Sequence, residues 1–393
     1  MRLFKILLMA SCLCLPSLAK AGEPDWNEMA DGMAQALVER FWGASFEGQP
    51  ERYYFNYGSD QSEMTTEHYW PQAHAMDVLV DAYTRTGDKR YKALFPLWWE
   101  GAPKFNPAGK KNPKDPWWNV YVDDMEWMVL AQIRMFEATG NRTYVNKARQ
   151  MYDDWIWTAW GPENESPWYG GITWKTDVSK SKNACSNGPA SLIAVRLYNF
   201  YDKAKFKDGK KKEAYLNEAI KIHAWEKNYL FNRETGAVYD NINKEGKVQK
   251  NWIFTYNSGT FLGTAHELFR VTGDRQYLDD AVLAADYVIE NLTKDGVLSD
   301  AAYGDGGLFH GIFFRYFVKL ANEKALDKAT RLRFHDHLTK LATTMAAQGV
   351  NKNTMLYGGR WRQAPADNDS VCLTAHLTGC MLMEAMCVLE PVE

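Results

Sequence analysis

The chain has 393 residues, a formal net charge of -3 at pH 7 and a mean hydropathy of -0.46. A charge this close to zero argues against nucleic acid, or another strongly charged polymer, as the partner. Aromatic residues are abundant, with 16 Trp and 21 Tyr, and many lie in segments rich in Gly, Pro and Asn. Because ligand sites are often lined by aromatic side chains and sugar rings bind to aromatic faces, this distribution favours a carbohydrate partner.

The first residues have the features of a secretory signal peptide. A basic start precedes an apolar run from 6 to about 18, and a small-x-small triplet ends at Ala21. We therefore expect 1–21 to be removed and 22–393 to form a single domain that is exported to the periplasm, the cell surface or the medium. Cleavage before Cys12, giving a lipoprotein, is the alternative. No later segment approaches about 18 consecutive apolar residues, so no membrane span is predicted.

Taken in chain order, the 3.6-residue hydrophobic period predicts twelve helices and almost no strand. Their predicted bounds are 26–42, 68–85, 88–99, 120–138, 141–158, 187–203, 211–230, 256–271, 274–292, 307–322, 325–347 and 370–389. The helices form six pairs, and three pairs are joined by a Thr-Gly-Asp or Thr-Gly-Asn turn that begins at Thr86, Thr139 or Thr272. Gly ends one helix and Asp or Asn caps the next, so each pair is a tight hairpin.

The two helices of a pair differ in their hydrophobic pattern. The helix at 141–158 has one apolar stripe, as a surface helix does, whereas the segments around 125–133, 192–198, 309–320 and 373–389 are apolar on nearly every side. A closed ring buries both faces of such inner helices. The sequence therefore predicts an all-α fold, an (α/α)6 barrel with an inner and an outer ring. An open solenoid is the alternative, but it would need a polar face on its last helix.

In such a ring the loops before the inner helices share one rim, and here those loops are long, aromatic and polar. Only one paired-acid motif, Asp123-Asp124, lies at that rim on an inner helix. The other two Asp-Asp pairs, at 153–154 and 279–280, lie in outer helices and are interpreted as solvated charges. The structural alternative for Asp123 and Asp124 is capping of the helix N-terminus.

Two neighbouring carboxylates suit glycoside hydrolysis, in which one attacks or activates water and the other protonates the leaving oxygen. Neighbouring helical residues hold their Cβ atoms roughly 5–6 Å apart, close to the carboxyl spacing of about 5–5.5 Å in retaining enzymes. Retention is therefore predicted. Because two close carboxylates do not ionise independently, one pKa should rise while free helix N–H groups keep the other group charged.

Six motifs are spread along the chain: YWPQAH from Tyr69, DDMEW from Asp123, GGITW from Gly170, CSNGP from Cys185, YNSG from Tyr256 and GIFFRY from Gly311. Together they resemble glycoside hydrolase family 76, the endo-α-1,6-mannanases, over nearly all of the chain after the signal peptide. The resemblance implies an (α/α)6 barrel, a retaining mechanism and neither metal nor cofactor. It also implies that Asp123 is the nucleophile and Asp124 the general acid/base. His310 departs from the pattern, which has a lysine there.

Ten further residues are predicted to bind substrate. They are Trp70, Trp118, Asn119, Trp174, Asn187, Tyr256, Asn257, His310, Arg360 and Trp361. Trp118, Trp174, Trp361 and also Trp252 are candidate sugar platforms, and core packing is their alternative. Asn187 either caps a helix or contacts a hydroxyl, and Arg360 either reaches a mannosyl hydroxyl or is solvated. His74 and Arg315, deeper in inner helices, either brace the carboxylates or serve the fold alone.

The prediction is a retaining, endo-acting glycoside hydrolase that cleaves α-1,6-mannosidic linkages in mannan backbones. Its partner would be an α-mannan polysaccharide or oligosaccharide, and the protein is expected to be a monomer. A transglycosylase would use the same two carboxylates, and a non-catalytic glycan-binding protein would keep the aromatic rim without them. Unsaturated uronyl hydrolases and sugar epimerases fit less well, because the sequence shows neither a basic cluster facing the cleft nor a histidine pair.

Overall fold

A computed structural model describes residues 24–44, 53–58, 69–106, 108–112, 114–161, 170–176 and 181–393. The predicted signal peptide lies outside these residues. Within them, no helix combines the length and the apolar character that a membrane crossing requires.

The described residues contain twelve α-helices. In chain order, α1 to α12 are Trp26–Phe41, Tyr69–Thr86, Lys89–Gly101, Val122–Thr139, Arg142–Met151, Ala184–Ala204, Lys212–Tyr229, Thr255–Thr272, Arg275–Tyr287, Gly306–Ala321, Lys328–Thr344 and Leu373–Val388. Wider π-turns extend α5, α9 and α11 through Tyr152–Ile156, Val288–Leu292 and Met345–Gly349. With these turns counted, the predicted helix bounds hold to within a few residues.

The described part of the chain also contains four short strands, which the sequence did not predict, in two antiparallel pairs. The first joins β1 (Trp42–Ala44) to β2 (Tyr53–Tyr54), and the second joins β3 (Lys182–Asn183) to β4 (Asn241–Ile242). The second pair matters for the site. It ties the segment before α6 to the segment that follows α7, and so holds both at the same rim of the barrel.

The predicted hairpin turns between inner and outer helices are present. Gly140 ends α4 at a φ of 70° and Gly273 ends α8 at a φ of 73°, in the left-handed region that glycine adopts without steric cost. Asn141 and Asp274 then cap the next helices, each accepting a hydrogen bond from the amide two residues further on, at 3.1 and 3.0 Å. Each turn therefore reverses the chain within a few residues.

The six even-numbered helices form a closed inner ring. Each packs against the next, from α2 through α4, α6, α8 and α10 to α12, and α12 packs against α2. The odd-numbered helices pack on the outside, with α1 against both α12 and α2. The contact between α12 and α2 distinguishes a ring from an open solenoid, so the predicted (α/α)6 barrel is confirmed.

Burial differs between the rings as the hydrophobic patterns predict. The inner helix α12 is buried along nearly its whole length, whereas the outer helix α5 buries one stripe that includes Tyr144, Ala148 and Met151. Residues buried on one stripe fix a helix to the surface of the ring, and residues buried on every side place it inside. Because inner and outer helices alternate along the chain, all inner helices run in the same direction and their N-termini gather at one rim.

Candidate active site

A cavity of about 800 Å³ opens at the rim where the inner helices begin. Its lining includes Trp70 on α2, Asp123 and Asp124 on α4, Cys185 on α6, Tyr256 on α8 and Asp305 just before α10. Five of the six inner helices, or the residues that directly precede them, thus contribute to one concave surface. Such a surface, with polar groups converging among aromatic walls, is the usual form of a ligand site.

Asp123 and Asp124 lie in the first turn of α4, and both are half-buried. The first amide of the helix donates to the carbonyl oxygen of Trp174 at 2.9 Å, so the main chain of another loop satisfies it. Asp123 Oδ2 accepts a hydrogen bond from the Cys185 thiol, with Sγ at 3.2 Å. Both acids line the cavity, so they are available to a ligand as well as to the helix start.

The environments of the two acids raise their pKa values unequally. Burial raises the pKa of Asp123 to about 6, while the Cys185 thiol, the Trp174 side chain and the first main-chain amides of α4 oppose that rise. For Asp124, burial and the negative charges of Asp123 and Asp305 act in the same direction and raise the pKa well above its ordinary value. Asp123 is therefore the more readily ionised group, and Asp124 is the group that keeps a proton to donate.

Aromatic side chains form the cavity walls on both sides of the acids. Tyr121 and Trp174 pack together with ring centroids 5.1 Å apart. Tyr256 and Phe309 stack at 4.1 Å with their planes 11° apart. Trp252 has 54% of its surface exposed, although large aromatic side chains are usually buried. Flat rings facing a cavity suit a ligand with apolar C–H faces, as sugars have.

Trp70 is held in place at the edge of the cavity. Its indole N–H donates to Asp305 Oδ1 at 3.0 Å, and its ring packs against His74 and Trp127. Burial lowers the pKa of His74 to about 3, so this imidazole is neutral. His74 therefore supports the tryptophans beneath the cavity, and its nearest ionic neighbour is Asp77.

The structure brings three of the ten predicted substrate-binding residues into the cavity lining: Trp70, Trp174 and Tyr256. Asn257, fully buried, donates to Asp240 Oδ1 at 3.0 Å, and Asp240 lines the cavity. Asn257 thus reaches the site through another side chain.

Asn119 and Trp118 lie in the loop before α4, outside the cavity lining. The Asn119 side chain accepts from the Tyr121 amide at 3.0 Å and donates to Asn106 Oδ1 at 3.3 Å. Trp118 is half-buried against the core, and Asn106 donates to its carbonyl oxygen at 2.7 Å. These contacts fix the loop that presents Tyr121.

Asn187 is fully buried in the first turn of α6 and lies outside the cavity lining. Its side chain accepts from the Ile172 amide at 2.8 Å and donates to the carbonyl oxygens of Ile172 and Asn183 at 3.1 and 2.7 Å. The amide is thereby occupied in clamping the loop that carries Trp174. The structure gives it this positioning contact in place of the predicted hydroxyl contact.

His310 and Trp361 are buried behind the cavity wall. His310 Nε2–H donates to the Ser299 carbonyl oxygen at 3.0 Å, which leaves Nδ1 to accept from the Thr255 hydroxyl at 2.8 Å. The Trp361 indole N–H also donates to Ser299, at 3.4 Å. Arg360 is exposed and lines a separate cavity of about 300 Å³. These three predicted residues therefore lie outside the lining of the larger cavity, because His310 and Trp361 are bonded to Ser299 and Arg360 faces another cavity.

Arg315 belongs to a buried ionic cluster in the C-terminal halves of the inner helices. It donates to Asp81 Oδ2 at 2.8 Å, and Arg134 pairs with Asp81 and with Asp77. Burial alone would raise the pKa of Asp81, but the two guanidinium groups outweigh burial and lower it. Arg315 therefore stabilises the interior of the ring, and its partners are these aspartates.

Several cavity residues were not predicted to bind substrate, among them Cys185, Asp240 and Asp305. Asp305 follows a glycine just before an inner helix, a position that the rim argument covers. Asp240 precedes β4, and the pairing of β3 with β4 helps to bring it to the rim. That pairing is long-range, so no local motif marks Asp240.

A closed all-α barrel with two acids among aromatic rings at one rim is the architecture of a glycoside hydrolase. The chain belongs to glycosyl hydrolase family 76, whose sequence profile matches residues 22–393. The resemblance seen in the sequence motifs is thereby confirmed.

Solved structures show the same relationship. The GH76A α-1,6-mannanase from Salegentibacter sp. HEL1_6 is 35% identical, with a TM-score of 0.81 over 93% of this chain and 100% of that one. An inactive variant of that enzyme, with two adjacent aspartates changed to asparagine, is in complex with α-1,6-mannotriose and is 34% identical, with the same TM-score and coverage. The Lin0763 protein from Listeria innocua is 28% identical, with a TM-score of 0.76 over 92% and 97%. A search of curated proteins found no match.

Proposed function

We propose that this glycoside hydrolase is a retaining endo-α-1,6-mannanase in which Asp123 is the nucleophile and Asp124 the general acid/base. The observation that carries the assignment is the unequal environment of two adjacent acids in one aromatic cavity. Asp123 has hydrogen-bond donors that stabilise its charge, whereas Asp124 has only burial and neighbouring negative charges. A retaining mechanism requires this division, with one ionised and one protonated carboxyl group.

In the first step, the Asp123 carboxylate attacks the anomeric carbon while Asp124 gives its proton to the departing glycosidic oxygen. A bond forms between Asp123 and the sugar as the glycosidic bond breaks. In the second step, the Asp124 carboxylate takes a proton from water, and the water oxygen displaces Asp123 from the anomeric carbon. Two inversions return the original configuration, and both acids regain their starting protonation states.

The substrate class is supported by the cavity walls and by the Salegentibacter enzyme. Trp70, Trp174, Tyr256 and the exposed Trp252 offer aromatic faces to successive sugar rings. The variant of that relative was inactive after two adjacent aspartates were changed, and α-1,6-mannotriose was bound to it. The adjacent pair Asp123-Asp124 lines the cavity described above, which supports the same roles here.

The test is cleavage of unbranched α-1,6-mannan by the wild-type protein and by Asp123→Asn and Asp124→Asn. Each variant should lose about 10²- to 10⁴-fold in rate, because each removes a group that attacks or transfers a proton. Asp154→Asn changes an exposed carboxylate in an outer helix and is the matched control. Undiminished cleavage in both site variants would exclude the assignment.

The size of the early products tests the endo action. Internal cleavage should release a ladder of oligosaccharides while the polymer shortens quickly. Mannose as the only early product would exclude endo action. Products longer than a supplied oligosaccharide would instead indicate glycosyl transfer by the same two carboxyl groups.

We also propose that the protein acts after export, on the basis of the predicted signal peptide at 1–21. The mature protein should begin at Gly22, which mass spectrometry of the exported form would show. A lipid-modified Cys12 at its N-terminus would indicate the lipoprotein alternative.

A further inference from the structure

Cys185 is the only one of the four cysteines after residue 21 that contacts an acid of the site in the described structure. It lies in the first turn of α6, lines the cavity and is buried, with 3% of its surface exposed. Its Sγ lies 3.2 Å from Asp123 Oδ2 in hydrogen-bonding geometry. The cysteine therefore meets the proposed nucleophile from a different inner helix.

The thiol stays protonated and so remains a donor. Burial raises the pKa of Cys185 well above its ordinary value, and the charges of Asp123 and Asp240 raise it further. The Tyr256 side chain, from α8, acts on the pKa of the thiol in the opposite direction and also lines the cavity. Tyr256, Cys185 and Asp123 are thus neighbours in the cavity lining and come from three inner helices, α8, α6 and α4.

The other oxygen of Asp123 is enclosed by the protein. Oδ1 is buried and lacks a hydrogen-bond partner among the side chains and amides of the described chain. The thiol hydrogen bond to Oδ2 restricts rotation of the carboxylate about its Cβ–Cγ bond. A nucleophile needs a defined position relative to the anomeric carbon, since small displacements cost rate.

We propose that Cys185 is a positioning residue that holds the Asp123 carboxylate in place through Oδ2. The inference rests on the proposed function of Asp123 and adds a residue to its mechanism. The thiol itself takes no part in bond making or breaking.

Titratable side chains from several elements surround Asp123. They are Asp124 and Glu126 on α4, Cys185 on α6, Asp240 before β4, Tyr256 on α8 and Asp305 before α10. Burial raises the pKa of Glu126 and of Tyr256 well above their ordinary values. We assign the acidic limb of the pH profile to the ionisation of Asp123, because the nucleophile must be charged to attack the sugar.

The test compares Cys185→Ala with Cys185→Ser in kcat, KM and the pH profile of kcat/KM on α-1,6-mannan. The alanine variant loses the donor, so kcat should fall about tenfold and the acidic limb should move up by about one pH unit, with KM little changed. The serine variant restores a donor at the same place and should recover most of kcat and return the limb to its wild-type position. Cys380→Ala, at a buried cysteine of α12, controls for the loss of a buried thiol.

An acidic limb that stays in place in Cys185→Ala, or a serine variant no better than the alanine variant, would overturn the inference. A general packing defect would lower thermal stability in both variants without moving the limb. Activity of Asp123→Asn is measured in parallel. If that variant is inactive while the limb of Cys185→Ala is unmoved, the positioning role fails and the proposed function stands.

Discussion

At the scale of single residues, two acids that are adjacent in sequence have different surroundings because a helix turns about 100° per residue. Asp123 faces the donors Cys185 and Trp174, and Asp124 faces the negative charge of Asp305. One pair of identical side chains therefore supplies an ionised and a protonated carboxyl group. The division requires no difference in residue type, only a difference in direction.

Asp305 gives the first prediction at this scale. In Asp305→Asn, a negative charge that raises the pKa of Asp124 is removed, while Oδ1 remains to accept from the Trp70 indole. The pKa of Asp124 should therefore fall, and the basic limb of the activity profile should move to lower pH because the acid loses its proton earlier. The pH dependence of kcat/KM measures this shift.

Glu245→Gln provides the matched control for Asp305→Asn, because it also removes a negative charge from the cavity lining. Glu245 is not among the groups that raise the pKa of Asp123 or of Asp124. Its basic limb should coincide with that of the wild type. A basic limb at the same pH in Asp305→Asn and in the wild type would show that Asp305 does not raise the pKa of Asp124.

At the scale of elements, α4 carries a third carboxyl group on the same side as Asp123. Glu126 is fully buried, and neither of its side-chain oxygens has a hydrogen-bond partner in the described part of the chain. Glu226 on α7 is buried in the same manner, and its charge would add to that of Asp123 in disfavouring ionisation of Glu126. Burial is the main cause that raises the pKa of Glu126 well above its ordinary value.

The pH dependence of stability follows from this shift. Because Glu126 binds its proton more tightly in the folded state than in the unfolded state, its contribution to stability is complete below about pH 4.3 and falls as pH rises toward the folded pKa. Glu126→Gln keeps the shape and removes the ionisation. The melting temperature of this variant should exceed that of the wild type at pH 8, and the difference should shrink toward pH 4.5.

Calorimetry between pH 4.5 and pH 8 measures this difference, with Glu213→Gln, at an exposed site of α7, as the control. The control should follow the wild type at every pH. A Glu126→Gln curve that runs parallel to the wild-type curve would show that Glu126 is ionised in the folded protein.

At the scale of the whole molecule, the chain ends close the ring. Arg85 on α2 donates to both carboxylate oxygens of Glu384 on α12, at 2.9 and 3.0 Å, and pairs with Asp31 on α1 at 2.8 Å. Helices from the beginning and the end of the described chain are thus joined beside the α12–α2 contact. Closure gives α12 its buried surroundings, which explains why its sequence is apolar on nearly every side.

How much of the fold and of the site could be predicted from the sequence depends on how far apart in the chain the interacting residues lie. The helices, the hairpin turns and the ring follow from local period and caps, and the position of Asp123-Asp124 on an inner helix singles out that pair. The directions of Asn187, His310 and Trp361 do not follow, because each is set by contacts with a loop or a helix remote in the chain. Polar and aromatic residues near a rim face either the cavity or the core, and the rotation of their element decides which.

The anomeric configuration of the first products tests the central claim most directly. Proton NMR during cleavage of unbranched α-1,6-mannan should show the α-anomer of the new reducing end first, with the β-anomer rising later by mutarotation. That order follows if Asp123 forms a covalent bond to the sugar and Asp124 then activates water. The β-anomer appearing first would mean direct attack by water, and would contradict a nucleophilic Asp123.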